Sequence, residues 1–298
     1  EAGDVQVGSP QPAVRYKRIY QMRMIDFFGL RTHIIYQDDN GPCTLLAICN
    51  VLLLKGVIKF EPDVSEFPED KLLSLLEGVL EKCEKMKVDN ACLQFLCHEC
   101  EHDLLYLALS LTPFLQCEGR KYSDLQRQVR DVIPILPHSV EINMCFNSID
   151  GFEATPESML FDYLGITPYH GWISDDDVLH SAIRGHTYKS LTQEVTLPSF
   201  PNGLVEMALK FLNGPQLSNF GLRSLRRELE ENVPFVLFWN RHFHTLIKFK
   251  GELYTLAADV GYLESGVSWI SLNEVNGAGL LVDDKFEPIN FVSSITPV

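Results

Sequence analysis

Apolar residues recur along this chain in two rhythms, and the change from one to the other predicts most of its elements. From Leu45 to Leu54 they are nearly continuous, broken by Asn50, and Gly56 follows as a natural stop, so a helix is expected from Cys43 with Leu46, Cys49 and Leu53 on its core face. Between Glu69 and Lys87 the apolar positions Leu72, Leu76, Val79, Leu80, Cys83 and Met86 follow the spacing of one helical face, with acids and lysines between them. A further helix is predicted over Ala91 to Leu111, ended by Pro113, and shorter ones at Glu157 to Leu164, Asp176 to Arg184, Leu204 to Leu212 and Leu222 to Glu231. Period-two alternation and β-rich composition predict strands at Tyr16 to Phe28, His33 to Tyr36, Val140 to Phe146, Phe235 to Trp239, Phe243 to Phe249 and Leu253 to Ala257, with turns at Gly29 and Lys250-Gly251. The first thirteen residues have no periodicity and read as a flexible lead-in. With no internal repeat and no long linker, the expectation is a flexible segment over 1–15 and one α+β domain over 16–298, helix-rich at first and completed by a C-terminal antiparallel sheet.

Composition narrows the function classes. The 298 residues are 46% hydrophobic, enough for a full core, and carry a formal net charge of −15. That charge argues against nucleic acid or an anionic membrane as partner, since either demands a basic footprint, and favours a partner with a basic face. Eight cysteines are too sparse for a disulfide scaffold, and no hydrophobic signal segment stands in the first thirty residues. A reducing compartment, cytoplasmic or nuclear, is expected. The apolar run Leu45 to Leu54 is shorter than the roughly 20 residues a bilayer crossing needs.

The candidate chemistry begins at Gln37-Asp38-Asp39-Asn40-Gly41-Pro42-Cys43. A solvated turn delivers a cysteine to a helix start, where free backbone N–H groups and the positive end of the macrodipole favour a thiolate. Cys49, Cys83 and Cys145 lie in apolar sequence and read as small core residues. A cysteine nucleophile needs a base held by a third group. His242 and His244 share one strand face, and Asn240-Arg241-His242 interrupts an apolar strand with polar groups that demand a reason. Asp259, on the returning strand, and Asn240 are the candidate orienting groups. Gln37, six residues before Cys43, can aim its amide N–H at the spot the Cys43 backbone N–H addresses, as an oxyanion hole requires. A rival cluster, Cys92, Cys97, His98, Cys100 and His102, has zinc-like Cys-x-x-Cys spacing but lacks a matching second ligand pair. No metal and no cofactor is expected.

Several blocks then resemble a known family. Gln37-x-x-Asn40-Gly41-Pro42-Cys43-x-Leu45-Leu46-Ala47-Ile48-x-Asn50 resembles the cysteine motif of the MINDY deubiquitinases, papain-like cysteine proteases selective for lysine-48-linked polyubiquitin. The likeness continues through Phe152-Glu153-x-Thr155-Pro156-Glu157, Phe161-Asp162-x-Leu164-Gly165-Ile166, Tyr169-His170-Gly171-Trp172, His242-Phe243-x-Thr245 and Asp259-x-Gly261-Tyr262, covering about Tyr16 to Asn276 in order. The resemblance implies a papain-like variant of the α+β class, with Cys43 as nucleophile, His242 as base and Gln37 as oxyanion donor. It implies a ubiquitin-holding surface at Ile142, Trp172, Tyr188 and Phe238, and restraint of the catalytic loop at rest by Tyr20 and Glu141. Thr44 stands where the family usually has Pro, His244 where it has Ser, and Glu141 where it has Asp.

The expectation is a monomeric deubiquitinase that hydrolyses isopeptide bonds in lysine-48-linked polyubiquitin, its partners being ubiquitin and such chains. Trp172, Tyr188, Phe238 and Ile142 are expected to form an exposed aromatic surface, with Phe238, inside an apolar run, having the stronger claim to be core than Trp172. The alternatives are a catalytically silent ubiquitin-binding module and a papain-like hydrolase for an unrelated amide.

Overall fold

The computed structural model describes residues 18–38, 41–96, 124–138, 140–275 and 279–289. Two antiparallel strands, β1 (Ile19–Phe27) and β2 (Leu30–Ile35), pair around the Phe28-Gly29 turn, and β3 (Glu66–Pro68) adds to the other side of β1. Then α1 (Cys43–Leu54) crosses the middle of the molecule. The expected core row on α1 understates its burial, because every residue from Thr44 to Leu54 is buried. A helix apolar all round is stable only when packed on all sides, and α1 meets β2, β5 and β6. It ends where predicted: Gly56 takes φ +69°, a left-handed conformation that a side chain would strain.

The long helix α2 (Glu69–Leu96) runs unbroken through the point between Lys87 and Ala91 where two helices were expected, and α3 (residues 124–130) docks on it through Arg130 and the buried Glu84. The remainder of the second predicted helix lies outside the described residues, as does the rival cysteine–histidine cluster apart from the backbone of Cys92. The predicted strand at Val140 to Phe146 is absent. Its backbone groups are divided among Gly151, Glu153, His186 and Tyr188, and isolated bridges form at Met144 and Cys145 in place of a ladder. Alternation gave the extended conformation, but no single neighbour runs alongside.

Five helices follow: α4 (Pro156–Tyr163), α5 (Asp177–Ile183), α6 (Tyr188–Glu194), α7 (Val205–Asn213) and α8 (Asn219–Glu228). Of these α6 was not foreseen; Thr187 and Ser190 start it with a reciprocal capping box. The C-terminal sheet has six strands in the order β4 (Pro168–His170), β5 (Pro234–Trp239), β6 (His242–Phe249), β7 (Glu252–Leu256), β8 (Trp269–Ser271) and β9 (Leu281–Val282). Only β4–β5 is parallel. The α+β class and the antiparallel-dominated C-terminal sheet are thus as expected. No helix among the described residues is long and apolar enough to cross a membrane.

One feature of the sheet corrects the sequence reading. Asn240 and Arg241 do not interrupt a strand; they are the two-residue turn between β5 and β6, with φ +50° and +66°. Two consecutive left-handed residues make the turn whose twist matches a hairpin, and asparagine tolerates that conformation well. The polar tetrapeptide therefore closes a hairpin and puts His242 at the first position of β6, opposite Trp239.

Candidate active site

Three elements meet at one cleft. Cys43 is the first residue of α1; Pro42 stands at the cap with no side-chain hydrogen bond to the helix, and no acid lies in the first turn to oppose the macrodipole. Gln37 lies just beyond β2, and His242 opens β6. Together with Asn50, Trp239, His244, Thr245, Asp259 and Tyr262 they line a cavity of about 320 Å³.

The geometry around Gly41 is the most specific feature. The Cys43 backbone N–H donates to the Gly41 carbonyl oxygen at 3.0 Å, and the Gln37 side-chain Nε2 donates to the same oxygen at 3.1 Å. The two N–H groups expected to share an oxyanion thus converge on one oxygen. Space there is tight: a Cβ on Gly41 would stand 2.7 Å from the Gln37 Cγ and 3.0 Å from the Asp38 carbonyl.

Gln37 is fixed from behind by Asp259. The two form a parallel bridge, with Gln37 N–H donating to the Ala258 carbonyl at 2.6 Å and Val260 N–H to the Gln37 carbonyl at 3.0 Å. The Asp259 carboxylate accepts from Gly261 N–H at 2.7 Å, capping a short 3-10 turn. Among the described residues no hydrogen bond joins it to His242, so its observed contacts are those of a turn former that holds the Gln37 segment. Asn240, the other candidate orienting group, lies in the hairpin turn.

The two histidines differ. His242 is exposed at the mouth of the cleft, whereas His244 is partly covered, 6.4 Å from the His242 ring and 5.7 Å from that of Trp239. Burial, reinforced by the neighbouring His242, pushes the His244 imidazole down to about 4, so it is neutral near pH 7.

The expected exposed aromatic surface is corrected. Trp172 is 1% exposed, Ile142 and Phe238 are each 8% exposed, and all three belong to the main core. Trp172 packs against Phe146, Phe211 and Tyr188, and its indole N–H reaches the Phe211 carbonyl at 3.2 Å, which satisfies the polar edge that would otherwise favour the surface. Tyr188 alone of the four is partly exposed. Tyr20 and Glu141 each have a partner of their own: the buried Tyr20 hydroxyl donates to Glu69, and Glu141, 81% exposed, faces Lys189 at 3.4 Å.

Sequence reasoning did not assign two other residues a part in holding this site: Thr245 Oγ donates to the Ala47 carbonyl of α1 at 3.4 Å, and Asn50 bonds the backbone of β2. Outside the residues that line the cleft, His170 is fully buried, its Nε2–H donating to Gly151 and its Nδ1 accepting from Trp172 N–H. A polar residue inside an apolar run was the available signal for Asn50. Among the described residues no group of three or more metal-ligating side chains is gathered.

The family model for the MINDY deubiquitinase matches residues 18–286. Among curated relatives, ubiquitin carboxyl-terminal hydrolase MINDY-1 of Rattus norvegicus is 31% identical over 280 residues, covering 90% of this chain and 52% of the relative. MINDY-1 of Homo sapiens is 30% identical over 291 residues, with 93% and 56% covered, and Homo sapiens MINDY-2 is 30% identical over 279 residues, with 90% and 41% covered. The chain spans about half the length of the curated relatives it matches.

Proposed function

The chain belongs to the MINDY deubiquitinase family, and on that premise we propose that it is a cysteine-dependent deubiquitinase hydrolysing isopeptide bonds in lysine-48-linked polyubiquitin. The observation that carries the reading is the convergence of Gln37 Nε2–H and Cys43 N–H on one oxygen, in a cleft that His242 also lines. Lysine-48 selectivity rests on the family resemblance alone.

Cys43 gives its proton to His242 and its thiolate adds to the isopeptide carbonyl carbon. The oxygen gains the negative charge, taking from Gln37 Nε2–H and Cys43 N–H the bonds that the Gly41 carbonyl occupies at rest. Collapse breaks the C–N bond, and the His242 imidazolium protonates the departing lysine amine. His242 then takes a proton from water, the resulting hydroxide adds to the thioester, and the thiolate leaves as the ubiquitin carboxylate is released. Gln37 is held by backbone bonds to the Asp259 segment, so the donor needs little reorganisation once Gly41 moves aside.

The test is incubation with diubiquitins of different linkage and with an electrophilic ubiquitin-based probe. Labelling of Cys43 and cleavage of lysine-48-linked chains is expected. Ubiquitin binding without labelling would leave the silent binding module, and labelling that small amides but not ubiquitin can compete would leave an unrelated hydrolase.

A further inference from the structure

Within α1 every buried side chain is apolar except two, Thr44 beside the nucleophile and Asn50. Asn50 is 1% exposed and lies seven residues after Cys43, just under two helical turns, so both stand on one side of the helix. Its carboxamide bonds twice to a single residue of β2: Oδ1 accepts from Ile35 N–H at 2.7 Å, and Nδ2 donates to the Ile35 carbonyl at 3.0 Å. Ile35 needs both bonds. β2 is an edge strand whose one neighbour is β1, and the next residue, Tyr36, turns its N–H to Gln21 of β1 at 2.9 Å, leaving the Ile35 groups directed away from that ladder. Carboxamide side chains carry a donor and an acceptor side by side, and Asn50 acts as a substitute strand for one residue. Two residues beyond Ile35 is Gln37.

We propose that Asn50 is a positioning residue of the proposed hydrolysis: it latches the helix that carries Cys43 to the strand end that carries Gln37, and so sets the separation of the two oxyanion donors. The inference rests on the proposed oxyanion role of Gln37. The Asn50 clamp joins the elements of the two donors directly through the core. Loss of the clamp leaves Cys43 and its helix terminus in place and lets the end of β2, with Gln37 and the Ala258–Val260 segment bonded to it, shift relative to α1.

The test is a double-mutant cycle of Asn50→Leu with Gln37→Ala, reading kcat, KM, Tm and the rate at which iodoacetamide alkylates Cys43. Asn50→Leu is expected to lower kcat about tenfold or more with KM and alkylation unchanged, Gln37→Ala to lower it about a hundredfold, and the double variant to match Gln37→Ala alone, since a donor that is gone cannot be mispositioned. Leu225→Ala, in a separate core cluster on α8, controls for lost stability and should combine multiplicatively with Gln37→Ala. A multiplicative Asn50→Leu/Gln37→Ala double variant, or an unchanged kcat in Asn50→Leu, overturns the positioning role. A Gln37→Ala protein with wild-type kcat overturns the oxyanion reading first and this one with it. Should Asn50→Leu fail to fold, Asn50→Asp, which keeps the acceptor for Ile35 N–H and loses the donor to its carbonyl, carries the same cycle.

Discussion

The Gln37 amide and the Gly41 carbonyl are joined by a 3.1 Å hydrogen bond, and the Cys43 N–H meets the same carbonyl at 3.0 Å. A backbone oxygen thus holds the place of the oxyanion in the proposed reaction. Removing the Gln37 donor by Gln37→Ala should therefore slow the chemical step by on the order of a hundredfold with little change in KM, because the bond matters most in the transition state. Gln37→Glu should be no better, a carboxylate repelling the charge it would face. Unchanged kcat with a raised KM would make Gln37 a binding residue.

Gly41 is sterically committed to the same arrangement. Gly41→Ala puts a carbon into contact with the Gln37 side chain and the Asp38 carbonyl, so one of them must shift. Turnover should fall while Tm stays within a few degrees, since Gly41 is itself only partly buried. Normal kinetics would show that the Gln37 placement is not critical.

Cys43→Ala should abolish cleavage and preserve chain binding, because Cys43 is only partly buried at the start of its helix. His242→Ala should be as damaging, nucleophile and base acting as a unit, while His244→Ala should cost much less. The contrast has a structural basis: burial keeps His244 neutral, and its ring rests against Trp239. Equal and severe losses at both histidines, measured as kcat/KM on lysine-48-linked chains, would indicate a shared role.

Trp172→Ala should lower stability by about 3–5 kcal/mol, the usual cost of emptying a large aromatic site in a core. Tyr188→Ala, at a partly exposed site on the edge of that core, should cost clearly less stability than Trp172→Ala, and a loss of chain cleavage out of proportion to that cost would mark Tyr188 as the accessible part of the proposed ubiquitin-holding surface. Urea unfolding and steady-state cleavage of the two variants separate the roles. A Trp172→Ala protein of normal stability would contradict its burial.

The buried His170 gives a pH dependence of known sign. Burial pushes its imidazole down to about 4, below the ordinary value of roughly 6.5, so the unfolded chain binds the proton first. Its contribution to stability is fully present above about pH 6.5 and is lost as pH falls toward about 4, by close to a tenfold change in the folding equilibrium per pH unit over that window. His170→Gln should unfold more easily at pH 7 and show a shallower decline between pH 7 and 5. Parallel curves for the two proteins would refute the assignment.

The helix that begins at Cys43 was legible in the sequence because the information is local: a turn with glycine and proline, a cysteine, a run of apolar residues and a glycine stop fix both ends of α1 from neighbouring residues alone. The hairpin strands were legible for the same reason. Val140 to Phe146 was misread because alternation specifies an extended backbone and not a partner, and its partners come from positions 151, 153, 186 and 188. Trp172 was misread because what buries it, Phe146 and Phe211 with a carbonyl for its indole, arrives from distant segments. Which groups can do chemistry was readable along the chain, since nucleophilicity, basicity and hydrogen-bonding capacity belong to residue types. Which of them meet was not, because the convergence of Gln37 and Cys43 depends on the Ala258–Val260 segment and on Asn50 crossing from α1 to β2, contacts between distant segments that leave no periodic trace in the chain.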